Sequence, residues 1–317
     1  MKIVFIGTPH AAVPSLKRLL DDGHQVVFVY TQPDRPSGRG NKITYSAVKQ
    51  FAIERGLAVL QPAKVKTQEA LDTFRSHGAD IAVVVAYGRI LPEGFLTAYP
   101  NGALNVHFSL LPKYRGAAPV NWAIVNGETE TGVTTMNMDA GLDTGDILLQ
   151  KTVKIGADEN AVEIMENLSI VGADLLSETL VGSNIISPRA QDEAQATYAP
   201  IMRKENGLID WAMPAAKIRD RIRGFQPFPT SYTSFRGSRL TIWKSTLVDI
   251  VDIEGSDNVV GPGTIYAARA NELVIECGNG TWLRIDELQP EGKRRMETRD
   301  FINGMQPKIG EVLGQTA

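Results

Sequence analysis

Four strand-like runs, at residues 2–6, 25–30, 80–86 and 103–108, constrain this chain more than any other feature of its sequence. They are largely apolar without alternation, as strands covered on both faces should be. Helical segments lie between them, which is the pattern of a parallel sheet with crossover helices. In the first crossover Thr8 can cap a helix, Pro9 fits its first turn, and Val13, Leu16, Leu19 and Leu20 form an apolar stripe before Gly23. The expected fold class is α/β, with a Rossmann-like, doubly wound, mostly parallel sheet.

The texture changes after residue 182. Residues 182–207 are polar, broken by two prolines and without periodicity, so they read as a linker. A second domain follows, with one helix bounded by Pro214 and Gly224 and short strand-like runs at 231–235, 240–244, 264–268, 272–276 and 282–288. Asn279 and Gly280 between two such runs form a hairpin signal, because both turn positions need positive φ. A small β-barrel is the natural reading. The expected division is a first domain over 1–188, a linker over 189–204 and a C-terminal barrel over 205–317.

A length of 317 residues suits two domains. The net charge of -3 carries no global signature of a nucleic-acid binder, so any RNA contact has to come from local basic patches. The one cysteine, Cys277, cannot form an intramolecular disulfide and lies in an apolar run, as a buried structural thiol would. The start MKIVFIG is too short and too soon followed by Gly and Pro for a signal peptide, and no apolar stretch is long enough to span a bilayer. A cytoplasmic location with no membrane contact is expected.

The GTPH turn after the first strand invites a dinucleotide reading but lacks the second and third glycines that let a backbone approach pyrophosphate. NVHFSLLPKYRG, residues 105–116, is more informative. Asn105 and His107 are two apart and face the same side of a strand, where polar groups are costly unless they line a site. The bland alternative is a satisfied core histidine. Residues 138–148, MDAGLDTGDIL, form a loop rich in glycine and carboxylates, whose Asp139, Asp143 and Asp146 can act as turn formers or line the same site. With no His or Cys cluster nearby, a metal site is disfavoured.

NVHFSLLPKYRGAAP, followed by ETGVTTMNMDAGLDTGDIL and preceded by VAYGRILP, resembles the formyltetrahydrofolate-dependent transferase family. TQPDRPSGRGNK near the start and LQPEGKRRM in the C-terminal domain resemble the branch of that family whose acceptor is initiator methionyl-tRNA. The likeness runs through essentially the whole chain in order. It implies a formyltransferase variant of the Rossmann sheet followed by an OB-like barrel; a monomer is expected. It also implies 10-formyltetrahydrofolate as co-substrate with no metal, and Asn105, His107 and Asp143 as the reacting residues. Ser109, Leu110, Leu111 and Pro112 would form the folate-binding segment, while Arg89, Ile90 and Leu91 with Asp139, Ala140, Gly141 and Leu142 would enclose the pteridine. Phe108 stands where relatives often carry a small residue, a difference that bears on the shape of the site wall beside His107.

On this reading Asn105 and a protonated His107 donate to the developing oxyanion. Asp143 favours the imidazolium and takes the proton lost by the amine. Candidate tRNA contacts are Arg35, Arg39 and Lys42, in a loop whose prolines and glycines make it a poor helix or strand. Lys217 and Arg221, on the helix face opposite Ile218 and Ile222, and the Lys293, Arg294, Arg295 run complete the set. The central motifs fit equally a folate-dependent transferase acting on an amino sugar or another small amine. A dinucleotide oxidoreductase would need the missing glycines, and a tRNA-binding protein with an inert sheet would leave Asn105, His107 and Asp143 without a role.

Overall fold

The computed structural model describes residues 1–37, 42–249 and 261–314. The chain forms two compact units, one of Met1–Pro119, Glu130–Lys154 and Glu163–Pro200, the other of Val120–Thr129, Ile155–Val162 and Ile201–Ala317.

The first unit is built on β1 (Lys2–Gly7), β2 (Gln25–Tyr30), β5 (Val59–Leu60), β6 (Ile81–Val85), β7 (Ala103–His107), β9 (Glu130–Asn137) and β10 (Ile147–Lys154), with two short strands, β3 (Arg35–Ser37) and β4 (Lys42–Thr44), intervening in the chain and a third, β8 (Arg115–Gly116), following β7. The order across the sheet is β10-β9-β7-β6-β1-β2-β5. The five strands from β7 to β5 are parallel, as the uninterrupted apolar runs predict, and every residue of β6 and β7 is buried. β9 and β10 add an antiparallel edge, so the sheet is mixed. α1 (Val13–Asp21), α2 (Ala47–Glu54), α3 (Gln68–Ser76), α4 (Glu93–Leu96) and α6 (Ala161–Val181) belong to this half of the sequence, as does α5 (Pro119–Val125).

Two local expectations need correction. The first helix starts at Val13 after a short 3-10 turn, and the proline in its first turn is Pro14; Thr8 instead donates its hydroxyl to the Tyr87 carbonyl at 3.1 Å. The stripe itself holds, with Leu16 and Leu19 fully buried. Residues 35–37 and 42–44, expected to be irregular, pair as a two-stranded antiparallel ladder with Pro36 opposite Ile43, and proline is tolerated there because both strands are edges.

In the second unit, β12 (Ser231–Phe235), β13 (Ser238–Val248), β14 (Ile265–Arg269), β15 (Glu272–Cys277) and β16 (Thr281–Pro290) form an antiparallel sheet ordered β12-β13-β16-β15-β14, with β17 (Met296–Glu297) on β16. β11 (Tyr198–Ala199), which precedes it in the chain, belongs with its partner β8 to the first unit. Residues 310–314 bridge the two edges. Ile265 N–H donates to the Glu311 carbonyl at 2.8 Å, and Gly314 N–H donates to the Ser234 carbonyl at 2.9 Å. That closure gives the β-rich unit its barrel character, since a bridged edge no longer offers a free ladder. Asn279 and Gly280 both have φ of 61°, the hairpin turn anticipated for that pair. α7 (Ala215–Gly224) buries Ala215, Ile218 and Ile222 against Leu240, Ile242, Ile285 and Leu288, and α8 (Thr298–Met305) adds Phe301. Each large aliphatic side chain so buried contributes about 1.5–3 kcal/mol. Cys277 lies in this core, and burial pushes its thiol up to about 12.

Candidate active site

Strand alternation sorts the residues of β7 by face. Val106 and Phe108 point toward α6, where Gly172 leaves them room: a Cβ there would lie 3.0 Å from Val106 Cγ1 and 3.4 Å from Phe108 Cε1. Phe108, the residue after β7 ends, therefore packs against α6. Asn105 and His107 take the other face and are almost wholly buried.

Each functional group is held by a specific partner. His107 Nε2 lies 3.0 Å from the Tyr114 carbonyl; a carbonyl only accepts, so Nε2 carries the hydrogen. That leaves Nδ1 facing Asp143, whose Oδ2 is 3.7 Å away, an ion-pair distance too long for a hydrogen bond. The same Oδ2 accepts the Gly116 N–H at 2.8 Å. Asp143 has φ of 54°, a left-handed conformation that aspartate, like asparagine, tolerates better than most residues with a side chain. Gly145 beside it has to be glycine, since a Cβ there would fall 1.9 Å from the Asn137 carbonyl oxygen. Asp139 is a turn former: its Oδ1 accepts from Gly141 N–H at 3.1 Å and from the Thr144 hydroxyl at 2.7 Å.

The Ser109 to Pro112 segment is pinned by Thr134, which lies opposite His107 on β9. Thr134 donates its hydroxyl to the Ser109 carbonyl at 2.7 Å and accepts the Leu111 N–H at 3.1 Å, while Gln150 donates to the Leu111 carbonyl at 2.8 Å. Thr134 stands within one of the two central motifs, yet nothing in the sequence signals this part for it. Around the proposed pteridine groove, Ile90 and Leu142 are exposed and Leu91 is buried. The Arg89 side chain donates to the carbonyls of Pro62 and Ala63, at 3.1 and 2.9 Å.

Of the stretch read as a linker, residues 189–199 belong to the first unit. Ile147 and Arg189 exchange backbone hydrogen bonds, β11 extends β8, and the Thr197 hydroxyl accepts the Tyr114 N–H at 2.8 Å. Arg115, fully buried, donates to Gln191 Oε1 from Nε and Nη2 at 3.0 and 2.8 Å and forms a bidentate pair with Glu193 at 2.9 and 2.7 Å. The guanidinium holds the Glu193 carboxyl below the usual carboxylate range. The sequence alone singles out none of Arg115, Gln191 or Glu193.

The structure treats the basic residues unequally. Arg39 lies outside the described residues, and Arg35 and Lys42 are placed by their backbone in the short ladder. Lys217, Lys293 and Arg294 are exposed. Arg295 is exposed but paired with Glu287 and stacked over Trp243. Arg221 departs from expectation. It is half-buried, donates to the Asn206 carbonyl at 2.7 Å and lies over the Phe225 ring, and burial lowers its pKa. Three residues after Ile218 and four before Phe225, it flanks the apolar stripe and is not opposite it. Among the described residues, no group of three or more His, Cys, Asp or Glu side chains is arranged to hold a metal ion, and no helix is long and apolar enough to cross a membrane.

The site thus pairs an amide and an imidazole with a carboxylate on a mixed α/β sheet. Known proteins share this frame. A family model described as formyl transferase matches residues 1–180, and one for the formyl transferase C-terminal domain matches 201–306. The chain is 47% identical over 317 residues to a methionyl-tRNA formyltransferase of Solibacter usitatus, covering 99% of each chain. It is 48% identical over 316 residues to that of Caldanaerobacter subterraneus subsp. tengcongensis, covering 99% of this chain and 100% of the relative. Its fold is similar to a solved N-formyltransferase from Helicobacter canadensis in complex with folinic acid and dTDP-3-aminofucose, with a TM-score of 0.65 at 21% identity over 92% of this chain and 99% of that one. Two matched domain models and full-length relatives near half identity, on top of the site's own chemistry, place the chain in the formyl transferase family.

Proposed function

We propose that this formyltransferase moves the formyl group of 10-formyltetrahydrofolate to the free amino group of initiator methionyl-tRNA, as a cytoplasmic monomer. The observation that carries the reading is the facing of His107 Nδ1 and Asp143 Oδ2 beside Asn105, because acyl transfer to an amine needs a donor for the developing oxyanion and an acceptor for the amine's proton. The relatives that match the whole chain bear the name of that tRNA reaction, and the Helicobacter canadensis protein was solved with a folate.

The residues fit a folate. Exposed Ile90 and Leu142 offer apolar cover for a flat ring, and the backbone of 89–91 and 139–142 offers donors and acceptors for its edge. When bound, it supplies a formyl carbon on a nitrogen able to leave. Asn105 donates its amide hydrogen to the formyl oxygen as negative charge builds there. His107, with Nε2–H committed to the Tyr114 carbonyl, donates to the same oxygen from Nδ1–H, the ring nitrogen that faces Asp143. Asp143 takes the amine's proton, directly or through water, and returns it to the folate nitrogen as the bond from that nitrogen to the formyl carbon breaks. Ser109, Leu110, Leu111 and Pro112, fixed by Thr134, bind the folate alongside. Arg35, Arg39, Lys42, Lys217, Lys293, Arg294 and Arg295 are the proposed tRNA contacts, and Arg221 is left out of that set.

The test is to incubate the protein with 10-formyltetrahydrofolate and either charged initiator tRNA or an amino-sugar nucleotide, and to assay the acceptor amine. Formylated methionyl-tRNA is expected. No formyl product on the tRNA under conditions where folate binds would overturn the reading, and product on the amino sugar alone would reassign the acceptor.

A further inference from the structure

Asp143 takes a left-handed conformation, and contacts from outside its loop fix where that turn lies. One side chain does so from 48 residues away. Gln191 Nε2 donates to two carbonyls of that loop, Asp143 O at 2.9 Å and Gly145 O at 2.8 Å. The rest of the same amide is fixed in turn, because its Oε1 accepts two hydrogen bonds from Arg115, and Arg115 is fully buried and clamped by Glu193. Neither rotation of the amide nor its withdrawal satisfies both ends: turned over, it would aim Oε1 at the two carbonyls and NH₂ at the guanidinium. The next residue along from Arg115 is Gly116, whose N–H holds the Asp143 carboxylate. Both the backbone and the carboxylate of Asp143 are thus set by one network rooted in Arg115.

We infer that Gln191 is a positioning residue for the transfer step: its amide fixes the Asp143 loop so that the carboxylate meets His107 and the reacting amine. The inference rests on the proposed role of Asp143 as proton acceptor. It gives a purpose to the polar stretch before the second domain that neither composition nor motif supplies.

Gln191→Glu separates positioning from packing. It keeps length, shape and an acceptor for Arg115, and replaces the donor facing two carbonyls with an oxygen that repels them. Gln191→Met removes the amide without adding charge and serves where the first variant folds poorly. Both are measured for kcat in single turnover with 10-formyltetrahydrofolate and charged tRNA, alone and combined with Asp143→Asn, with thermal unfolding as the control on folding. The expected result is a loss of roughly 10- to 100-fold in kcat, the scale on which a misplacement of about 1 Å costs rate. In the Asp143→Asn background the same substitutions should change kcat by less than about twofold, since residues acting through one group are not additive. Losses that multiply in the double variants, or a wild-type rate in Gln191→Glu and Gln191→Met while Asp143→Asn is impaired, would overturn the inference. A wild-type rate in Asp143→Asn would instead overturn the role given to Asp143, a failure distinguishable from that of Gln191.

Discussion

Asn105 and Glu193 show how differently two side chains near one site carry their effect. Asn105 is buried on the strand face that carries His107, and a preorganised donor there acts mainly on the transition state. Asn105→Ala should lower kcat for formyl transfer by roughly 100-fold. A change confined to KM would make Asn105 a binding residue. Glu193 acts through Arg115 and through pH. Its carboxyl is held below the ordinary range by the guanidinium, so its contribution to stability is present above the unfolded-state pKa of about 4.3 and is lost as pH falls through the folded value. With 70% of its side chain exposed the contribution is modest. Glu193→Gln should therefore lower the urea midpoint at neutral pH and leave it nearly unchanged at pH values below that range; an equal loss at both would assign the effect to packing.

Elements were legible in the sequence where periodicity alone decides them, and illegible where a distant partner does. The same-face pairing of Asn105 with His107 follows from strand alternation, and the Asn279–Gly280 hairpin from its φ requirement. Asp143 reads as any aspartate in a glycine-rich loop, and only the family resemblance singles it out. Arg115 and Gln191 stayed hidden because they meet across 76 residues of chain, and a glutamine in a polar stretch gives no sign of its partner. The packing of Phe108 against α6 was not legible either, because the partner glycine lies 64 residues further on, at Gly172. The α6–β7 packing that accommodates Phe108 gives its own prediction. Gly172→Ala should destabilise the protein by about 1–3 kcal/mol through crowding against Val106 and Phe108. Chemical denaturation measures it, and combining it with Phe108→Ala should recover part of the loss.

For the whole molecule, a formal charge of -3 means that tRNA affinity has to rest on local cations, and the exposed Lys293 and Arg294 are the clearest described candidates in the second unit. Replacing both with alanine should weaken charged-tRNA binding and reduce the salt slope by roughly 0.7–0.9 for each phosphate that is no longer neutralised. Arg221→Ala should leave that slope unchanged and lower stability, because its guanidinium is already engaged by Asn206 and Phe225. An unchanged slope in the double variant would remove the 293–294 turn from the RNA surface. The two units are also threaded through each other in sequence: the chain passes between them at 119–120, 129–130, 154–155, 162–163 and 200–201. Within the second unit, the α5 residue Asn121 donates to the Gly224 carbonyl at 2.7 Å, and Trp122 meets Phe225 edge-on at 5.7 Å. A protease that nicked the backbone once between residues 201 and 204 would cut the chain without freeing either piece, because α5 stays on the N-terminal fragment while α7, its partner, lies on the C-terminal one. The nicked protein should run as one species in native gel filtration and as two in denaturant; separation without denaturant would show that the interlaced segments do not hold.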